Sequence, residues 1–195
     1  MRASAIHQNS LILTATCFVA LLAGCASEAV EEPTAQVAAE STVEPNIQMS
    51  GPVIYLADNL NEEAKRGWCI DTEGRGQSDQ LHAHSCKPAG EDTQYSYDTG
   101  TSTIRSVAYE NQCMALADPE NAAVPFGLVD CVDGDASQQF AYDTQSMEIR
   151  IGTEPGQCVV VAEAISDAGP YQSRDLIAAN CGFVDPSRKQ WVIRD

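Results

Sequence analysis

Apolar positions along this 195-residue chain alternate with polar ones, or come in bursts of four to six, and Gly, Asp, Ser and Pro fill the gaps. Val53-Ile54-Tyr55 and Leu81-His82-Ala83-His84 are such runs, and Glu73-Gly74-Arg75-Gly76, Pro88-Ala89-Gly90 and Asp133-Gly134-Asp135 are such gaps. Period-two patterning broken by turn residues predicts short strands. The main exception is Asn61 to Lys65, where a short helix is expected. The runs also recur. Tyr95 and Phe140 are 45 residues apart, as are Ile104 and Ile149. A fixed period of this size marks a repeated supersecondary unit that cannot bury its own apolar face. Four strands in each of three units predict a twelve-stranded all-β domain closed around one core. The third unit reaches Asp195 without a fourth strand, so the early run at Val53–Tyr55 is expected to close the barrel.

Cysteine positions hold the same register. Cys69 and Cys86, Cys113 and Cys131, and Cys158 and Cys181 are separated by 17, 18 and 23 residues, and the first member of each pair recurs after 44 and then 45. Six cysteines allow 15 pairings. The repeat favours one of them, a disulfide within each unit, and each such loop contributes roughly 3 kcal/mol in the chain-entropy model. No C-x-x-C spacing occurs, which argues against structural zinc.

The N-terminus explains the other two cysteines. Residues 1–24 lack acidic side chains and carry an apolar stretch from Leu11 to Leu22, the length of a signal-peptide core and too short to span a bilayer. It ends in Leu22-Ala23-Gly24-Cys25, which resembles the lipobox of bacterial lipoproteins. That resemblance implies cleavage before Cys25, a diacylglyceryl group on its sulfur, and attachment to the bacterial cell envelope, with Ala26 pointing to the outer membrane. A plain secretory signal is the alternative. Cys17 is then lost with the signal, and export places the remaining cysteines where disulfides persist. Residues 26–50 hold five glutamates and no Lys, Arg or aromatic residue, and read as a disordered tether reaching about 25–30 Å. From residue 51 onward there are 23 acidic and 10 basic side chains, a net charge of −13. Such a surface repels phosphate backbones and excludes nucleic acid as a partner.

Laid side by side, the units share an opening cysteine (within Cys-x-Asp in unit 1, Cys69-Ile70-Asp71), a second cysteine 17 to 23 residues later, a Gln-aromatic step (Gln94-Tyr95, Gln139-Phe140, Gln190-Trp191) and Ile-Arg (Ile104-Arg105, Ile149-Arg150, Ile193-Arg194). From about residue 53 to 195 this resembles the ricin B-type lectin family, whose fold is the β-trefoil. Gln138 keeps that family's glutamine two before the aromatic, whereas Thr93 and Lys189 replace it in the other units. The resemblance implies shallow sugar sites built from a carboxylate, a ring and polar side chains. Carried over position by position, it implies Asp71 as carboxylate, His84 as ring, His82 as polar partner, and Asp92 and Thr93 leading into the next strand. Units 2 and 3 have Ala115 and Val160 at the carboxylate position. One weak glycan site in unit 1 is therefore expected, with a sugar-silent structural or protein-interaction module as the alternative. Asp71 has a second reading as a turn residue bonding backbone amides, and His82 and His84, on one face of a strand, have a second reading as metal ligands. Trp68 and Trp191 are expected in the core or at its rim. No G-x-S-x-G, H-E-x-x-H or phosphate loop occurs, so neither an enzyme nor a cofactor is expected.

Overall fold

The computed structural model describes residues 43–74 and 76–195. The lipobox with Cys25, the signal segment with Cys17, and most of the acidic tether lie outside the described residues. The domain is an all-β β-trefoil. Unit 1 contributes β1 (Val53–Leu56), β2 (Trp68–Thr72), β3 (Leu81–Ser85) and β4 (Tyr95–Asp98). Unit 2 contributes β5 (Thr103–Ser106), β6 (Gln112–Leu116), β7 (Phe126–Asp130) and β8 (Phe140–Asp143). Unit 3 contributes β9 (Glu148–Ile151), β10 (Glu154–Val161), β11 (Ser166–Ala168), β12 (Tyr171–Asn180) and β13 (Trp191–Arg194). The first and last strands of the units pair as β4–β5, β8–β9 and β13–β1, and the middle strands form hairpins β2–β3, β6–β7 and β10–β12. The expected closure occurs: Val53 pairs with Arg194 and Leu56 with Trp191.

The core repeats in threes. Ile54, Ile104 and Ile149 are fully buried, as are Tyr95, Phe140 and Trp191. Trp68 is buried too, its indole N–H donating to Asn59 O at 2.7 Å, so both tryptophans are core. Asp98 and Asp143 each accept backbone N–H groups two and three residues on, fixing equivalent turns. The three disulfides link Cys69–Cys86, Cys113–Cys131 and Cys158–Cys181, as the repeat predicts.

Three departures matter. Asn61 to Lys65 forms turns rather than a helix, because Leu60, Asn61 and Lys65 adopt φ of 41°, 62° and 55°, outside the right-handed helical region. Residues 43–50, read from composition as the end of the tether, run along the domain. Asn46 N donates to Lys65 O and Asn59 N to Val43 O, both at 2.7 Å. Met49 is buried against Val53, Cys69 and Cys86. Gly67, at φ 76°, permits this approach: a Cβ there would lie 2.5 Å from Pro45 Cβ. The third departure is an extra strand, β11, which forms a hairpin with β12 around Gly169 at φ 66°. It lies in the longest cysteine interval, and β12 runs on past the unit boundary to pair with β3 of unit 1.

Candidate functional site

Strand pairing in unit 1 determines which side chains meet. Asp71 lies opposite His82 and Cys69 opposite His84 on the β2–β3 hairpin, so all four project to one face. Strand β12 adds a third column, with Asp175 opposite His82 and Ser173 opposite His84. The attachment is secured by Arg174, which donates to Ala162 O, Glu163 O and Leu60 O and lies 4.7 Å over the Trp68 ring. The Tyr171 ring is thereby held 5.4 Å from His84, with the Arg66 guanidinium 5.3 Å from the tyrosine ring on its face.

Asp71 is wholly buried. Its Oδ1 accepts the Thr72 N–H at 2.8 Å, the turn bond expected of such a residue. Its Oδ2 lies 2.8 Å from Lys87 Nζ without receiving a directed hydrogen bond. Lys87 Nζ donates instead to Asp92 Oδ2 at 2.7 Å, so one ammonium spans two carboxylates. His84 Nδ1 is 2.8 Å from Ser85 O and 3.7 Å from Asp71 Oδ2. A carbonyl accepts only, so Nδ1 carries the hydrogen and Nε2 keeps the lone pair. His82 Nε2 is buried with no partner among the described residues.

Burial dominates the electrostatics. It pushes Asp71 up to about 6, although the Lys87 ammonium pulls the other way. It pushes His82 down to about 4, helped by the neighbouring His84 and Lys87. His84 is lowered by the same desolvation, against the pull of its bond to Ser85 O. For Lys87 burial acts downward, but its ion pairs with Asp71 and Asp92 outweigh it and hold the ammonium above the ordinary lysine range. At neutral pH the patch thus has two neutral imidazoles beside an ion-paired lysine.

The structure brings Asp71, His82, His84 and Asp92 together but turns Thr93 away. The Thr93 side chain is fully buried, its hydroxyl donating to Gly90 O at 3.0 Å and contacting Met49 Sδ at 3.5 Å. It supports the turn and does not face solvent. Asp71 likewise is not presented openly: Lys87 stands between it and solvent. Two members of the patch escaped the sequence reading, Lys87 and Tyr171. The signal for Tyr171 was the 23-residue interval of unit 3, where the added residues build the arm that delivers the ring. Units 2 and 3 offer Ala115 and Val160 at the Asp71 position, both buried and unable to accept a hydrogen bond. For metal binding, the one set of converging donors among the described residues is Glu148, Cys158 and Cys181, whose sulfurs are joined as a disulfide. His82 and His84, with ring centroids 5.3 Å apart, do not converge with a carboxylate on a common point.

No family model and no curated protein sequence matches the chain. Solved structures do. The C-half of the earthworm R-type lectin, crystallised with GalNAc, matches with a TM-score of 0.51 at 13% identity over 73% of this chain and 95% of its own. The mdaA-1 domain, a solution structure, matches with a TM-score of 0.53 at 11% identity over 78% of this chain and 93% of its own. GalNAc-T7, crystallised with UDP, GalNAc and Mn2+, matches with a TM-score of 0.50 at 12% identity over 78% of this chain. The chain spans 23% of the length of GalNAc-T7. At these identities the likeness establishes the fold.

Proposed function

We propose that the domain is a glycan-binding module whose ligand face is the unit 1 patch of Asp92, Lys87, His82, His84 and Tyr171, with Asp71 beneath. The observation that carries the reading is that the hairpin position two after the first cysteine holds a carboxylate in unit 1, where units 2 and 3 have Ala115 and Val160. Only there do two carboxylates, an ammonium, imidazoles and a phenol ring share a surface. Vicinal hydroxyls of a sugar suit this set, because Asp92 accepts, Lys87 donates and the Tyr171 and His84 rings offer an apolar face. Asp71 acts through Lys87, holding its ammonium in place, and its undirected Oδ2 accepts a further bond when the lysine shifts. The earthworm lectin structures in complex with GalNAc and with 6'-sialyllactose support the ligand class by analogy of fold. A lone shallow site binds weakly, so useful capture needs many copies on a surface. The Leu22-Ala23-Gly24-Cys25 motif supplies that display: lipid on Cys25 anchors the domain to the bacterial cell envelope.

A second reading is favoured by the burial of Asp71 under Lys87: a sugar-silent structural or protein-interaction module of the envelope. A glycan array separates the two. The lectin reading expects binding to a subset of glycans that falls about tenfold in Asp92→Asn and in Tyr171→Ala, the loss of roughly one strong contact. Absence of binding across the array, or undiminished binding by both variants, removes it in favour of the second.

A further inference from the structure

Each unit has a seat behind its disulfide, bounded by the first residues of its opening strand and by the residue two before the core aromatic. The three seats are occupied differently. In unit 1 the seat is lined by Val53, Tyr55, the Cys69–Cys86 bridge and Thr93, and Met49 fills it. In unit 3 the corresponding residues are Glu148, Arg150, the Cys158–Cys181 bridge and Lys189. The lysine closes the seat itself, 2.7 Å from Glu148 Oε1 and donating to Cys181 O, while Arg150 donates to Glu148 at 2.6 Å. In unit 2 the corresponding residues are Thr103, Arg105, the Cys113–Cys131 bridge and Gln138. Gln138 is buried there with its amide bonded to Asp130 O and to the Val132 N–H, both at 2.9 Å, and a cavity of about 310 Å3 remains beside it.

A conserved-in-place bond also lapses at this point. Gln94 donates its amide to Ser50 O at 3.0 Å and Gln190 donates to Ser146 O at 3.3 Å. Gln139, at the same position of unit 2, lines the cavity and its side chain makes no such bond among the described residues. The Nη groups of Arg105 and the carboxylate of exposed Asp133 are likewise without a hydrogen-bond partner among the described residues, and both line the cavity. The disulfide and Val132 form an apolar wall.

We infer that the unit 2 cavity is a second ligand site, taking a single neutral polyhydroxylated ring such as one saccharide residue. The site offers donors (Arg105, Gln139) and acceptors (Asp133, Gln139) together, all facing the cavity without a protein partner among the described residues. An anion is opposed by Asp133 and Asp135, and an amine by Arg105; hydroxyl groups use donors and acceptors of both signs. The volume lies at the low end of small-molecule sites, which suits one ring rather than a chain. The inference shares its ligand class with the glycan-binding reading but rests on a separate set of residues, none of which belongs to the unit 1 patch.

The test is titration of the 15N-labelled full chain with free galactose, N-acetylgalactosamine, glucose and mannose, followed by NMR. Saturable shifts are expected at the backbone amides of Gly100 and Gly134 and at the Gln139 side-chain amide. Arg105→Met and Gln139→Ala each weaken them about tenfold, with unchanged thermal melting, since Arg105 is half-exposed. Asp92→Asn leaves these shifts as they are. If none of the four sugars moves these signals, or if the Arg105→Met chain responds as the parent does, the second site is overturned. Shifts confined to His84 and Tyr171 overturn it while supporting the unit 1 face, and shifts confined to unit 2 support it while removing the unit 1 face.

Discussion

Units 1 and 3 place different chemistry at one structural position. Asp71 and Val160 are both entirely buried two residues after the first cysteine of their units, and Ala115 holds the same place in unit 2. An aliphatic side chain is therefore enough for the scaffold at this position. The carboxylate in unit 1 has to be neutralised locally, and Lys87 and Asp92 build a small ionic network to do it. Unit 3 places its own ionic network one layer away, behind its disulfide, where Lys189 and Arg150 share Glu148. The contrast teaches that the threefold core specifies the fold while its shell is free to diverge. What divergence leaves behind in unit 1 is a buried, ion-paired carboxylate where the other two units have an aliphatic side chain.

The sharpest way to break this comparison is to remove the partner from the buried charge. Lys87→Ala leaves Asp71 ion-less in an apolar setting and is expected to cost about 3 kcal/mol of stability, measured by urea unfolding. Combining Lys87→Met with Asp71→Ala makes unit 1 resemble unit 2 and is expected to recover most or all of that loss. Failure of the double substitution to recover stability would show that the carboxylate is part of the scaffold.

Met49→Ala tests the neighbouring seat. It empties the space filled by the segment before β1 and is expected to cost about 2 kcal/mol, the usual scale for a buried methionine. An effect below a few tenths would mean that residues 43–50 are not integral to unit 1.

A smaller effect separates the ionisable groups of unit 1 by pH. The folded Asp71 is raised to about 6, so in the window from about 4 to 6 the native state binds more protons than the unfolded chain. Its contribution to stability is therefore lost as pH rises through that window. His82, lowered to about 4, does the opposite: its contribution is present above about 6.5 and lost as pH falls toward 4, and His84 acts in the same direction. Asp71 and the two histidines thus pull the stability of the parent chain in opposite directions across this window. Asp71→Asn is expected to steepen the rise of stability with pH between 4 and 6.5, whereas His82→Gln together with His84→Gln reverses it to a decline. Melting temperatures across that range check both signs.

Much of the architecture was legible before any coordinates. The 45-residue spacing of Tyr95 with Phe140 and of Ile104 with Ile149 placed four landmarks in one register, and the cysteine intervals made pairing within units the favoured reading. Each of these depends on contacts inside one unit, which a repeated sequence displays three times over. The site was legible in part. Asp71, His82, His84 and Asp92 do gather, because a hairpin register follows from the strand pattern. Thr93 was misleading, since a short side chain two before the aromatic turns inward once Met49 is there to meet it. Lys87 follows a cysteine in a loop, and no periodicity says that its ammonium will fold back over Asp71.

Taken alone, the sequence determined the all-β class, the three units, the favoured cysteine pairing and the uniqueness of unit 1. These follow from local patterning and from repetition, which averages out the noise of any single strand. Tertiary structure decided everything that joins one unit to another or to the preceding segment. The pairing of β12 with β3 that brings in Tyr171, the seating of Met49, the burial of Asp71 under Lys87 and the cavity of unit 2 all depend on chain segments far apart in sequence. Contacts of that kind are set by which surface happens to lie opposite which, and the order of residues along one strand carries no record of its neighbour.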